Sequence, residues 1–263
     1  MTRALRASAM AFLLARLLGS GAAAAETSSL SINDPRPVFR AVEHVEAIYG
    51  VPITYEDSVL AQPDETVTRG GARWIVRGQT LNFSYETVPL GAGGEVRRAL
   101  AAKAIAEALR TYNIEHSERE LFVLTDRDGF LHVVPTQFTD ADGKPARLKD
   151  ILAAPVSISE GEKSAAELLD AVAQSVAAST GVTVKGTGDE TLMAMLRAHK
   201  TMIAARDEPA RYVLDELIRE TFVDPSAERR SLEMSWLMSC TSVLHDNGPR
   251  WCWLDLRPVA YLK

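Results

Sequence analysis

The chain has 263 residues, of which 46% are hydrophobic and 24% charged, and its formal net charge is −6 at pH 7. That apolar fraction is ordinary for a globular protein and allows a core without staples. An acidic chain with no basic tract is poorly suited to phosphate backbones, so nucleic acid is excluded as an expected partner.

Residues 1–25 read as a cleavable secretory signal peptide. Arg3 and Arg6 supply the positive start, Ala7 to Leu18 an apolar core broken once by Arg16, and Ala23 and Ala25 the small residues before a cut. The apolar run is shorter than the about 20 residues that span a bilayer. The mature chain is therefore expected to be soluble and exported, to the periplasm or beyond.

Along the mature chain the first signal is a short apolar run, Leu30 and Ile32. Val38, Ala41, Val42, Val45, Ile48 and Tyr49 then recur at helical spacing and end at Gly50, where a left-handed C-cap is expected. Val51, Ile53 and Tyr55 alternate as a strand does. Residues 61–94 read as an insertion holding a hairpin between Trp74-Ile75-Val76 and Leu81 to Tyr85. A second helix follows, marked by Val96, Leu100, Ala104, Leu109 and Tyr112, and then a hairpin around Asp126-Arg127-Asp128-Gly129.

The same order recurs. Residues 139–154 are polar at first, with Gly and Pro, and read as a connection. Val156 and Ile158 form a short run. Leu168, Leu169, Val172, Val176 and Ala177 form a helix stripe ending at Gly181, and Val182 and Val184 alternate after it. Val213, Leu214, Leu217, Ile218 and Phe222 mark a later helix, and a hairpin turns around Asp246-Asn247-Gly248. The expected fold is α+β: two tandem related units, residues 26–138 and 155–263, each with two helices on a small mixed sheet ending in a hairpin.

This order resembles the short N-terminal domain of secretins and TonB-dependent receptors, through Pro37, Ala41, Gly50, Val51, Ile53 and Tyr55. Most of the mature chain also resembles a group of uncharacterised exported bacterial proteins, through the run Tyr49 to Asp57 and the run His132 to Thr136. The resemblance implies a cell-envelope protein.

Residues able to do chemistry are sparse. The two D-x-D-G runs, Asp126 to Gly129 and Asp140 to Gly143, lack the further acids of a calcium loop and read as turns. None of the five histidines sits at zinc-hydrolase spacing. His132 reads as a hydrogen-bonded strand residue. Glu56 and Asp57 are adjacent in a strand and so point to opposite faces. No catalytic residue, metal ligand or cofactor is expected.

Cys240 and Cys252 are the two cysteines and form a disulfide candidate in an oxidising compartment. Set opposite each other, they also pair Met238 with Leu254 and Trp236 with Leu256, all on one apolar face. A two-residue Asn247-Gly248 turn would instead set Cys240 against Asp255. A one-residue slip flips every side chain, so the apolar register is expected. Trp251 and Trp253 then fall on the other face, which packs under the helices of the other half or forms a candidate interaction surface. Two functions follow as expectations: a non-enzymatic envelope module that binds a protein or another envelope component, or a hydrolase or other enzyme whose site is assembled between the two halves.

Overall fold

Two apolar stripes with glycine stops organise the chain. Helix α1 (Pro37–Tyr49) opens on a proline and ends at Gly50, whose φ of 62° is left-handed and whose N–H donates to the Glu46 carbonyl at 2.8 Å. Helix α3 (Ala165–Thr180) opens on a reciprocal box between Ser164 and Glu167 and ends at Gly181, φ 74°. Both caps stand where the sequence places them.

The structure is a computed structural model and describes residues 26–57, 66–69, 72–75, 78–117, 120–139, 144–147, 150–222, 233–241 and 250–259. Residues 1–25, read above as a signal peptide, the run Asp140 to Gly143 and the expected turn residues Asp246 to Gly248 lie outside the described residues. The fold is α+β, with five helices among the described residues.

Strand pairing follows one scheme twice. β1 (Thr27–Asp34) precedes α1 and pairs antiparallel with β5 (Gln79–Glu86), which precedes helix α2 (Gly94–Glu115). β2 (Ile53–Glu56) follows α1 and pairs parallel with β7 (Phe130–Thr139), which forms a hairpin with β6 (Leu121–Arg127). In the second half, β9 (Pro155–Ile158) pairs antiparallel with β13 (Ala205–Pro209) before helix α5 (Ala210–Phe222). β11 (Val182–Thr187) follows α3 and pairs parallel with β15 (Arg250–Pro258), which forms a hairpin with β14 (Met234–Thr241).

The two halves do not keep separate sheets. β14 adds in parallel to β2, with Leu237 opposite Tyr55 and Met238 opposite Glu56. The result is one sheet in the order β11-β15-β14-β2-β7-β6, with β8 (Pro145–Arg147) added on β7. Neighbouring strand residues point to opposite faces, and this separates two cores. Leu237 joins Ile53, Tyr55, Leu131 and Val133 beneath α1 and α2. Trp236 and Met238 join Leu254, Leu256, Val182 and Val184 beneath α3 and α5. The helix layers therefore lie on opposite faces. The β1–β5 ribbon closes the first core through Ile32, Leu81 and Phe83, and the β9–β13 ribbon closes the second through Val156, Ile158 and Ala205.

Two expectations need correction. Two small sheets are replaced by one, because the edges of β2 and β14 satisfy each other's backbone groups. The hairpin within 61–94 is formed by β3 (Thr66–Arg69) and β4 (Ala72–Ile75), while Leu81 to Tyr85 belongs to β5 and pairs with β1. That pairing sets Leu30 opposite Phe83 and Ile32 opposite Leu81, so both strands turn their apolar sides to the helices. At the end of the connection 139–154, Ile151 and Leu152 are buried, and the carbonyls of Leu152 and Ala154 accept the amides of Arg211 and Ala210, capping α5. Sequence periodicity also misses helix α4 (Glu190–Ala198), whose stripe is only Leu192 and Leu196. It lies between β11 and a two-residue ladder formed by β10 (Lys163–Ser164) and β12 (Lys200–Thr201).

The hairpin turn Asp128-Gly129 has both residues at positive φ, 49° and 94°, the geometry of a tight two-residue loop. The D-x-D-G run there is a turn, as its composition suggests.

Candidate functional site

Polar residues from both halves converge where β2 meets β14. Thr54 and His132 are opposite each other on β2 and β7, on the face covered by α5. The Thr54 hydroxyl lies 2.6 Å from His132 Nδ1, and His132 Nε2 lies 3.3 Å from Asp215 Oδ2 on α5. In the tautomer with the imidazole proton on Nε2, the hydroxyl donates to Nδ1 and the ring N–H faces the carboxyl. Trp236 Nε1 donates to Asp215 Oδ1 at 3.0 Å.

Ion pairs surround this line. Arg211 reaches Glu56 at 2.9 and 3.1 Å and also contacts Asp150. On the other side of the strand, Asp57 pairs with Arg36 at 3.0 Å, accepts the Cys240 amide at 2.9 Å and takes the Tyr55 hydroxyl at 3.2 Å. Arg257 pairs with Glu43 at 2.8 Å and with Glu46. Glu56 and Asp57 thus serve separate partners, as their strand parity requires. They are buried links between the halves.

A threonine, a histidine and an aspartate in line have the composition of an acid–base relay, but burial decides what they can do here. Thr54 is 0%, His132 1% and Asp215 3% exposed. Burial, with Arg211, Arg127 and Arg98 nearby, lowers the His132 pKa to about 4. Burial raises the Asp215 pKa to about 7 against the opposing Trp236 hydrogen bond and nearby arginines. At neutral pH the imidazole is uncharged, so the His132–Asp215 contact is polar rather than an ion pair. Burial also raises the Glu56 carboxyl well above its usual range, opposed by Arg211.

These shifts give a pH prediction. An acid whose pKa is raised by folding binds its proton more tightly when folded, so its stability contribution falls as pH rises from 3.8 towards 7. Asp215→Asn removes that slope. The stability of D215N relative to wild type is expected to rise by about 3 kcal/mol between pH 4 and pH 7. Urea unfolding of both proteins across this range checks it; a pH-independent difference contradicts the assignment.

The disulfide is present. Cys240 and Cys252 stand directly opposite with Cα atoms 3.9 Å apart, in the register that pairs Met238 with Leu254 and Trp236 with Leu256. The bond lies in the second core, so Trp251 and Trp253 turn to the opposite face. Trp251 is half-buried and Trp253 is 39% exposed. Lys185 of β11 holds its Nζ 4.4 Å from the centre of the Trp251 ring and 5.9 Å from that of Trp253. Among the described strands β11 ends the sheet, so this aromatic pair borders an edge with unpaired backbone groups.

Two grooves of about 450 and 510 Å³ run beside the β1–β5 ribbon and share Ser84, Glu107 and Arg110. None of their lining residues belongs to the buried network. Among the described residues, no group of three or more His, Cys, Asp or Glu is placed to hold a metal, and no helix is long and apolar enough to cross a membrane. Comparison with protein-family models, curated proteins and solved structures finds no significant match to this chain.

Sequence reasoning identified the disulfide and the tryptophan face but not the buried line. Its signal was a polar residue inside each apolar stretch: Thr54 between Ile53 and Tyr55, His132 between Leu131 and Val133, and Asp215 within the α5 stripe. A polar residue at a core position needs a partner, but nothing local says which.

Proposed function

We propose that the chain is an exported, non-enzymatic interaction module of the cell envelope that binds a protein partner through the β11–β15 face. One contrast carries this reading. The side chains with chemical potential are sealed between the halves, whereas Trp253, beside the half-buried Trp251, and an unpaired strand edge face outward. Exposed aromatics beside an open edge are the elements of strand-addition binding. We also read the halves as duplicated units of the kind represented by the short N-terminal domain of secretins and TonB-dependent receptors. The repeated pairing scheme supports that reading.

The test is affinity capture from envelope extract with the wild-type chain and a Trp251→Ala/Trp253→Ala variant. Loss of a specific partner in the variant is expected. Equal capture by both overturns the assignment of this face.

A second reading, an envelope hydrolase with its site between the halves, has the Thr54–His132–Asp215 line in its favour. It requires an opening that admits substrate to these residues. His132→Gln would then abolish the protein's function, while the tryptophan variant would retain it.

A further inference from the structure

The joint between the halves shows how this kind of unit meets a neighbour, and each half leaves the complementary edge uncovered. Parallel pairing sets Ile53 opposite Leu131 and Val184 opposite Cys252. β11 therefore holds in the second half the place of β2 in the first. The hairpin registers set Asp126 opposite Leu131 and Cys240 opposite Cys252, so β6 holds the place of β14. Within the chain, β14 occupies the outer edge of β2. Among the described strands, the matching edges of β11 and β6 are the two ends of the sheet.

Exposure at equivalent positions follows the same division. By these registers Val123 of β6 corresponds to Leu237 of β14. Leu237 is 1% exposed because the joint covers it; Val123 is 41% exposed. Phe130, His132 and Thr54 correspond to Trp251, Trp253 and Lys185. The first three are buried on the face that α5 covers, whereas Trp253 stands open. Lys185 is the charge that would deter edge pairing, but its Nζ is turned back over the Trp251 ring.

The geometry points to head-to-tail self-association: the β6 edge of one copy adds in parallel to β11 of the next, and Trp251 and Trp253 are covered as Phe130 and His132 are within the chain. The partner of the proposed binding face is thus a second copy, an inference that rests on reading that face as the working surface. Each copy uses two different edges, so the contact is heterologous and can propagate beyond a dimer.

Sedimentation equilibrium of the purified protein over a concentration series tests this, with Val123→Lys and Trp253→Lys as variants at exposed positions. The average mass of the wild-type chain is expected to rise past two copies. Each variant alone should remain a monomer, because one of its two edges is blocked. An equimolar mixture of the variants should settle at two copies, since one intact β6 can meet one intact β11. A Val123→Lys protein that still dimerises overturns the inference, because the edges would then pair with themselves. A wild-type chain that stays monomeric also overturns it. It leaves the broader binding reading intact if the tryptophan variant still loses a different partner in the capture experiment.

Discussion

Trp236→Ala is expected to destabilise the protein by about 5 kcal/mol. Trp236 is fully buried among Met238, Leu254 and the α5 stripe, and no smaller side chain fills that volume. Truncating a buried tryptophan costs about 3–5 kcal/mol through lost transfer energy and the cavity left behind. The substitution also strips Asp215 of the indole N–H that it accepts at 3.0 Å, leaving a buried carboxyl with one partner fewer. Against a total stability on the order of 5–15 kcal/mol, that is a large share. Trp236→Phe keeps most of the volume and loses the hydrogen bond, so it should cost about 1–3 kcal/mol. Denaturant midpoints measured side by side check both. Equal costs for the two variants would show that the indole N–H, rather than the volume, carries the effect.

Arg211→Met is expected to cost about 3–5 kcal/mol at neutral pH. Arg211 spans the joint: it sits on α5 of the second half and pairs with Glu56 of the first, on a side chain that is 2% exposed. Without its cation, Glu56 must either stay charged in a dry site or take up a proton. The Glu56 carboxyl already sits well above its usual range because of burial, and Arg211 is the strongest influence holding it down. The loss in R211M should therefore grow as pH rises, since keeping Glu56 protonated becomes harder. Pairing R211M with Glu56→Gln should restore much of the loss, because it leaves no charge in the dry site and only Asp150, whose side chain is 30% exposed, loses its cation. A double-mutant cycle across pH checks this; additive costs would mean that the two side chains do not act as a pair.

Local patterns made much of this legible. The stripes of α1, α3 and α5 and the stops at Gly50 and Gly181 are nearest-neighbour signals, and each element stands where they place it. The register of the last hairpin followed from parity: of the two alignments set out, Cys240 against Cys252 or against Asp255, only the first puts Cys240, Met238 and Trp236 opposite apolar partners. What parity could not supply was the neighbour of an edge. β2 is four residues long, and nothing in Ile53 to Glu56 says that its outer side meets Leu237 and Met238, over 180 positions later. The same limit assigned Leu81 to Tyr85 to the wrong partner: its alternation shows a strand with one buried face but not that β1 covers its edge. The line Thr54–His132–Asp215 depends on that same joint, so it became visible only once the two halves were placed together.

Native-state hydrogen exchange at the joint tests directly whether the halves form one sheet. The Asp57 amide donates to the Met238 carbonyl at 3.0 Å, and the Cys240 amide donates to Asp57 Oδ2 at 2.9 Å. In a single sheet these amides open only with global unfolding, so their exchange free energy should equal the stability measured by denaturant. Exchange many-fold faster than this, with the amides of α1 and α3 still fully protected, would show two independently folded halves and contradict the joint.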